Sequence, residues 1–426
     1  MTILIFVVSL LGAMALGMPL AFSLLVSGVA LMLHLDNFDT QIVSQNLING
    51  ADNFPLMAVP FFMLAGELMN AGGMSRRIVN SAMVWVGHFK GGLGYVAVFA
   101  AIIMASLSGS AVADTAALAA VLLPMMRKAG YRMDRSAGLI AAGGIIAPVI
   151  PPSIGFILFG VVGGVSISKL FMAGIVPGIL MGVALAVTWY IVARNDKVEV
   201  APRVPMKEKL QVTANAFWSY LLAITIIGGM KAGVFTPTEA AVVAVGYSLL
   251  VGLFIYKEIK VKDLYGIVLA AAKTSSIVMF LVAAALVSAW LITVANIPAQ
   301  IVTLMQPFMD NKMLLMAMLM LLVIIVGTAL DFAPTVLILT PVLMPLVRQA
   351  GIDPVYFGVL FIMNNAIGLL TPPVGTVLNV VCGVGRIPMH DVIKGVWPFL
   401  LSQVVVMALL IIFPEIVMVP LRFLIG

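Results

Sequence analysis

The stretch "GGIIAPVIPPS", Gly143 to Ser153, places two glycines and three prolines inside the uncharged run between Arg135 and Lys169. A proline in a helix interior removes a backbone donor and clashes with the carbonyl one turn earlier, at about 3 kcal/mol per site. Unpaired backbone is tolerated at membrane depth only where it is buried in protein or lines a polar cavity. The stretch therefore predicts a transmembrane helix that is broken inside the protein.

The composition places the chain in the membrane. Of its 426 residues 63% are hydrophobic and 9% charged, with a mean hydropathy of +1.19, whereas soluble domains carry about 25% charged residues. About a dozen apolar stretches approach the roughly 20 residues that a spanning helix needs. We predict an all-α polytopic membrane protein in a lipid bilayer, with the apolar N-terminus as its first membrane helix.

Cysteine, histidine and charge exclude several other classes. The single Cys382 rules out a disulfide framework, and the three histidines match no metal-ligand spacing, so we expect neither a transition metal nor an organic cofactor. The net charge of +6 is explained by uneven loop charge, and no nucleic acid partner is expected.

The chain repeats itself after a polar stretch, "RNDKVEVAPRVPMKEKLQ", at 194–211. "LLPMMRKAG" recurs as "LMPLVRQAG" 221 positions further on, as from Pro124 to Pro345, and the prolines at 151 and 152 recur without a gap at 372 and 373. We predict a first repeat over 1–194, a cytoplasmic linker over 195–212 and a second repeat over 213–426. Such repeats are typical of transporters whose site lies at the repeat interface.

Loop charge predicts that the two repeats are inverted. If 92–126 is a re-entrant hairpin that enters from the cytoplasm, most of the 23 basic residues lie inside, as the positive-inside rule requires. The matching hairpin at 312–347 then enters from the opposite side and exposes only Lys312 and Arg348. A fully spanning first hairpin would put the cluster at Arg127 outside.

Broken helices at about 135–165 and 354–385 predict two pseudosymmetric sodium sites, because unwound backbone carbonyls coordinate such ions. Hydroxyls at the hairpin tips supply further hard oxygen ligands. The ion-binding residues predicted in this way are Ser106, Ser108, Ser110, Gly143, Gly144, Pro148, Gly327, Thr328 and Thr371. Neighbouring positions are assigned to substrate contact or gating: Asp114, Pro151, Pro152, Ser153, Asp331, Asn364, Asn365, Pro372, Pro373 and Thr376.

Other interpretations of these residues stay open. One proline pair alone would predict a simple kink, and Asp114 and Asp331 could cap the second arm of each hairpin. An intramembrane aspartyl protease would use the same two carboxylates as a dyad, but neither "VAD" nor "TALD" matches a "GxGD" motif. A sodium and anion symporter that works without partner proteins is the stronger rival.

Four motifs together resemble one transporter family: "SGSAVADTAALAAVLLPMMRKAGY", "GGIIAPVIPPS", "GVFTPTEAAVVAV" and "TPPVGTVLNV". Over essentially the whole chain, the sequence is similar to the large membrane subunit of tripartite ATP-independent periplasmic transporters of the dicarboxylate type. The resemblance implies that the chain is not an enzyme but a sodium-driven elevator that imports a small organic anion, such as a carboxylate or a sugar acid, across the bacterial inner membrane.

The resemblance also implies partners and ion ligands. The partners are a small four-helix membrane subunit, which we expect as a separate chain because this one begins directly in the large subunit, and a periplasmic substrate-binding protein. The implied sodium ligands are Ser106, Gly143, Ile146 and Pro148 in the first half and Gly327, Thr328, Gly368 and Thr371 in the second.

Overall fold

The computed structural model describes residues 2–36, 38–196, 198, 200, 202–372 and 374–425, and this part of the chain is all-helical. The first half contains α1 Thr2–Ala15, α2 Leu20–His34, α3 Thr40–Ala51, α4 Ala58–Ala71, α5 Met74–Val86, α6 Gly92–Ser108, α7 Ala111–Lys128, α8 Met133–Gly144, α9 Ile154–Gly163 and α10 Ile167–Ala193. The second half contains α11 Met206–Asn215, α12 Phe217–Lys231, α13 Pro237–Leu250, α14 Val261–Val294, α15 Ile297–Met305, α16 Lys312–Ala329, α17 Phe332–Gln349, α18 Pro354–Leu369, α19 Thr376–Gly385, α20 Met389–Ile412 and α21 Glu415–Ile425. Short 3₁₀ turns at Phe54–Met57 and Gln306–Phe308 and a π turn at Val251–Ile255 complete the elements.

Six helices of the described residues are long and apolar enough to cross a membrane alone, and a bent α11–α12 pair could add a seventh. Shorter apolar helices of 10–17 residues include α6, α9, α16, α18 and α19. These short helices lie in the regions predicted as hairpins and broken helices, although α17, the second arm of the second hairpin, is itself one of the six long helices. The chain is a multi-pass membrane protein with interrupted segments.

The predicted linker is partly helical. α11 covers its last seven residues and packs against α5, where the Trp85 indole donates to Thr213 Oγ1 at 2.8 Å. The polar composition that suggested a linker belongs here to a surface helix.

The two halves correspond helix by helix. Shifted by 221 residues, α7 coincides with α17 at both ends, and α9 has the same length as α19 but begins and ends one residue before it. Contacts between the halves come in equivalent pairs. α9 contacts α17 as α19 contacts α7, and α8 contacts α20 as α18 contacts α10. Exchanged contacts of this kind are what a two-fold relation between the repeats produces. That the repeats are inverted remains a prediction from loop charge.

Local sequence explains the two interruptions of the first half. Gly109, at φ +63°, makes the turn between α6 and α7, because a residue without a Cβ adopts this conformation at little cost. Ser110 then caps α7 by accepting from the Ala113 N–H at 3.4 Å. After α8 ends at Gly144, prolines prevent the helix from continuing until Ser153 caps α9 by accepting from the Phe156 N–H at 3.2 Å.

Candidate functional site

The first hairpin tip lies directly on the first break. A Cβ added to Gly109 would stand 2.5 Å from the carbonyl oxygen of Pro152 and 3.2 Å from Cα of Ser153. Pro151, Pro152 and Ser153 are buried, and the Ser153 hydroxyl donates to the Pro148 carbonyl. The structure thus brings together the two regions that the sequence analysis assigned to one ion site.

Asp114 is the charged group of this first cluster. Its side chain is only 2% exposed, and its Oδ1 accepts from the Ser108 hydroxyl at 2.5 Å. Its Oδ2 is buried and has no hydrogen-bond partner. The hydroxyl oxygen of Thr115 is likewise buried and without a partner. Because buried polar atoms are normally satisfied, two adjacent residues with unpaired buried oxygens are an exception to that rule at this hairpin tip.

Asp114 does not cap α7. Ser110 occupies the N-cap position, and Asp114 lies in the first turn with its carboxylate directed to Ser108. The interpretation of Asp114 as a helix cap is therefore wrong, whereas its burial agrees with the functional interpretation of an intramembrane carboxylate.

The carbonyls at the break differ in the lone pairs they have left. The Gly143 carbonyl accepts from the N–H groups of residues 145 and 146, and that of Ile146 accepts from those of 149 and 150. Gly144 and Pro148 each accept one bond across the break, from the Ala147 N–H and the Ser153 hydroxyl. Since a carbonyl oxygen has two lone pairs, the Gly144 and Pro148 carbonyls each keep one lone pair that no hydrogen bond of the break uses. The Ser106 hydroxyl donates to the Ile103 carbonyl at 2.6 Å, which leaves its oxygen able to accept or to ligate.

The second cluster forms where α16 meets α18. A Cβ added to Gly368 would stand 3.0 Å from Cα of Gly327, and one added to Gly327 would stand 3.1 Å from Asn365 Oδ1. The Asn365 amide donates to the Phe332 carbonyl at 2.8 Å and that of Asn364 donates to the Met320 carbonyl. Both asparagines are fully buried, and the Oδ1 atom of each has no hydrogen-bond partner.

The remaining predicted residues of the second half lie around this contact. Thr328 and Thr371 are half-buried and donate to the carbonyls of Ile325 and Ile367, at 2.7 and 2.9 Å. Pro372 is half-buried, and the Thr376 hydroxyl at the start of α19 is a buried atom without a partner. Pro373 lies outside the described residues.

Asp331 differs from Asp114. It is exposed, stands at the N-cap position of α17 and makes no side-chain capping bond. The two carboxylates do not form a pair, because Asp114 is buried beside Ser108 and Asp331 is exposed. The structure gives no support to an aspartyl dyad.

One contact between the two halves involves a residue that the sequence did not single out. A Cβ on Gly155, in the first turn of α9, would stand 2.6 Å from the Phe332 ring at the start of α17. The second hairpin tip therefore contacts the broken helix of the first repeat, while Asn365 binds the Phe332 carbonyl from the other side. Thr115 was also missed, because a lone threonine among alanines carries no pattern.

The family model of the tripartite ATP-independent periplasmic transporter, DctM component, matches residues 7–416. A putative TRAP transporter large permease protein of Haemophilus influenzae is 54% identical over 423 residues, covering 99% of this chain and all of the relative. The 2,3-diketo-L-gulonate TRAP transporter large permease protein YiaN of Escherichia coli is equally similar, with the same coverage. The crystal structure of the Alcanivorax borkumensis YdaH transporter, at 14% identity, shares the fold with a TM-score of 0.63 over 89% of each chain.

Proposed function

Because this chain belongs to the DctM component family of tripartite ATP-independent periplasmic transporters, and is therefore a transporter permease and not an enzyme, we propose that it imports a small organic anion by coupling to sodium. The observation that carries the coupling is the pair of clusters at the hairpin tips. In each, a tip packs against an interrupted helix, and buried oxygens of Asp114 and Thr115 or of Asn364 and Asn365 have no partner. Sodium, a hard cation, would satisfy such oxygens together with released carbonyls.

The proposed ligands differ in kind between the sites. Asp114 Oδ2, with the Gly144 and Pro148 carbonyls, would hold the first ion. Asn365 Oδ1, with backbone oxygens near Gly327 and Gly368, would hold the second. The substrate would bind between the two tips, near the start of α9. Ser153 of the first break caps this helix, and Phe332 of the second tip packs on its first turn.

Membership of the family supports a proposal for the direction and the partners of transport. We propose that the chain lies in the bacterial inner membrane, works with a small four-helix membrane subunit and receives its anion from a periplasmic binding protein. We propose sodium as the coupling species and no organic cofactor. The chain contains no "GxxxxGK[ST]" phosphate loop, so ATP is not its energy source.

The substrate class is a carboxylate or a sugar acid. Since a relative with 54% identity is named for 2,3-diketo-L-gulonate, that acid is the first to test, with C4-dicarboxylates and sialic acid as comparisons. A carboxylate that enters with two or more sodium ions is neutralised before it crosses the apolar core, which lowers the cost of moving its charge.

Uptake into proteoliposomes tests the proposal. The large and small subunits are reconstituted, and uptake of labelled acid is measured with the binding protein present, under an inward sodium gradient and under a matched potassium gradient. We expect uptake only with sodium and only with the binding protein. Uptake unchanged in potassium contradicts the coupling, and uptake of free acid by this chain alone supports the rival symporter without partners.

A further inference from the structure

A cavity of about 770 Å³ opens between α5, the end of α11 and the start of α12, away from the hairpin tips. Its polar lining comes from Arg76, Arg77 and Asn80 of α5, together with Asn215, Trp218 and Tyr256. We propose that this cavity binds the phosphate headgroup of an anionic phospholipid from the cytoplasmic leaflet.

Charge is the first argument. Glu258 pairs with both arginines, at 2.7 Å from Arg76 Nη2 and 2.6 Å from Arg77 Nη1. Two guanidinium groups and one carboxylate leave one positive charge without a counter-ion in this cluster. A guanidinium has five N–H donors in a fixed fork that suits phosphate oxygens, so both arginines keep donors for a further anion.

The arginines are also held in place. The Arg77 guanidinium stacks on the Tyr256 ring at 3.8 Å from its centroid and donates to the Gly73 carbonyl at 3.1 Å. The Tyr256 hydroxyl in turn donates to the Asn215 carbonyl at 2.9 Å. A donor set fixed before binding loses less conformational freedom when the anion arrives. The side chain of Arg76 is 60% exposed, which leaves it accessible from outside the cavity.

The surroundings favour a lipid over a soluble phosphate. Trp218 and Tyr256 are residues of the type enriched at membrane–water boundaries. The elements that line the cavity also present apolar side chains outward, with Phe217 exposed by 52% and Phe254 by 67%. These surfaces suit acyl chains. Basic pockets between membrane helices on the cytoplasmic side recognise anionic headgroups, and loop charge puts Arg76 and Arg77 on that side.

Lipid retention tests the site without any transport measurement, so its result is independent of the uptake assay. The large and small subunits are purified together from nanodiscs that contain phosphatidylcholine and phosphatidylglycerol, and bound lipids are counted by native mass spectrometry. We expect phosphatidylglycerol to be retained, and Arg76→Gln with Arg77→Gln to lower its retention about tenfold.

A matched control is Arg203→Gln with Lys207→Gln, which removes the same charge from exposed positions on the same predicted side; its retention should stay within about twofold of the parent. Glu258→Gln separates binding from folding, because it breaks the same ion pairs yet raises the local charge and should increase retention. Equal retention by the parent and the double arginine variant would overturn the proposal. So would stabilisation of the detergent-purified protein by inorganic phosphate alone, or loss of the lipid whenever the small subunit is present.

Discussion

The two hairpin tips occupy equivalent places in the repeat. The polar side chains beside them come from the hairpin in the first half and from the broken helix in the second. In the first half the hairpin carries the side chains, Asp114 and Thr115, and the broken helix carries Gly143 and Gly144. A methyl at Gly144 would overlap the Thr115 hydroxyl. In the second half the hairpin carries Gly327, and the side chains come from the broken helix.

The 221-residue shift makes this exchange explicit, because Gly143 and Gly144 correspond to Asn364 and Asn365. It also shows that Asp331 is the counterpart of Ser110, at the N-cap of its helix, while the counterpart of Asp114 is Thr335, which is buried and donates to the Asp331 carbonyl at 3.0 Å. The repeat therefore keeps the position of the cluster without keeping the residue that fills it, so that one cluster holds a carboxylate and the other neutral amides.

The largest expected effect concerns whether the tips approach from opposite faces. Lys128 and Gln349 correspond under the shift and are both exposed at the ends of α7 and α17. With Cys382 replaced by Ser, single cysteines at these positions are probed in intact cells with a membrane-impermeant thiol reagent. Loop charge predicts complete labelling at 349 and none at 128. Labelling of both, or of neither, would show that the hairpins are not inverted.

The second effect tests the carboxylate. Asp114→Asn removes the only charge of the first cluster, and loss of one member of a buried ion pair costs about 3 kcal/mol or more, or roughly 100-fold in affinity. We expect the sodium concentration for half-maximal uptake to rise by at least this factor. Asp331→Asn is the matched control, because its side chain is exposed and forms no cap, and uptake should change by no more than about twofold. Equal effects of the two changes would refute the difference between the tips.

The third effect tests the close contact of the second tip. Gly368→Ala places a methyl 3.0 Å from the backbone of Gly327, and such overpacking costs typically 1–3 kcal/mol. We expect uptake to fall about tenfold and the thermal unfolding temperature to drop. Gly383→Ala is the control, since a Cβ there meets nothing within 4 Å. Unaltered uptake in Gly368→Ala would mean that the tip does not need this contact.

The smallest effect tests the neutral site. Asn365→Ala removes Oδ1 and leaves the Phe332 carbonyl without its donor, and for this neutral group we take the lower end of the usual cost, about 1 kcal/mol. We expect sodium affinity to fall roughly fivefold to tenfold, less than for Asp114→Asn because no charge is lost. Sodium titration of uptake measures both variants side by side. A larger loss for Asn365→Ala would reverse the assignment of the carboxylate to the stronger site.

Much of the candidate site could be predicted because prolines and glycines act locally. Pro151, Pro152 and the glycines before them break a helix wherever they occur, so the interruptions were visible in the sequence. The counterparts Ser110 and Asp331 could also have been paired by applying the 221-residue shift to every polar position. Thr115 and Phe332 could not, because their roles depend on what lies across from them.

The sequence by itself determined the membrane location, through apolar composition, and the two-fold repeat, through the register of its helix breakers. Both depend on the residues and their order along the chain and not on how the helices pack. Only the tertiary structure decided that Asp114 is buried beside Ser108 while Asp331 is exposed, that Asn365 faces Gly327, and that Phe332 rests on Gly155. These contacts join residues from separate helices, and burial and unpaired oxygens arise only when those helices pack.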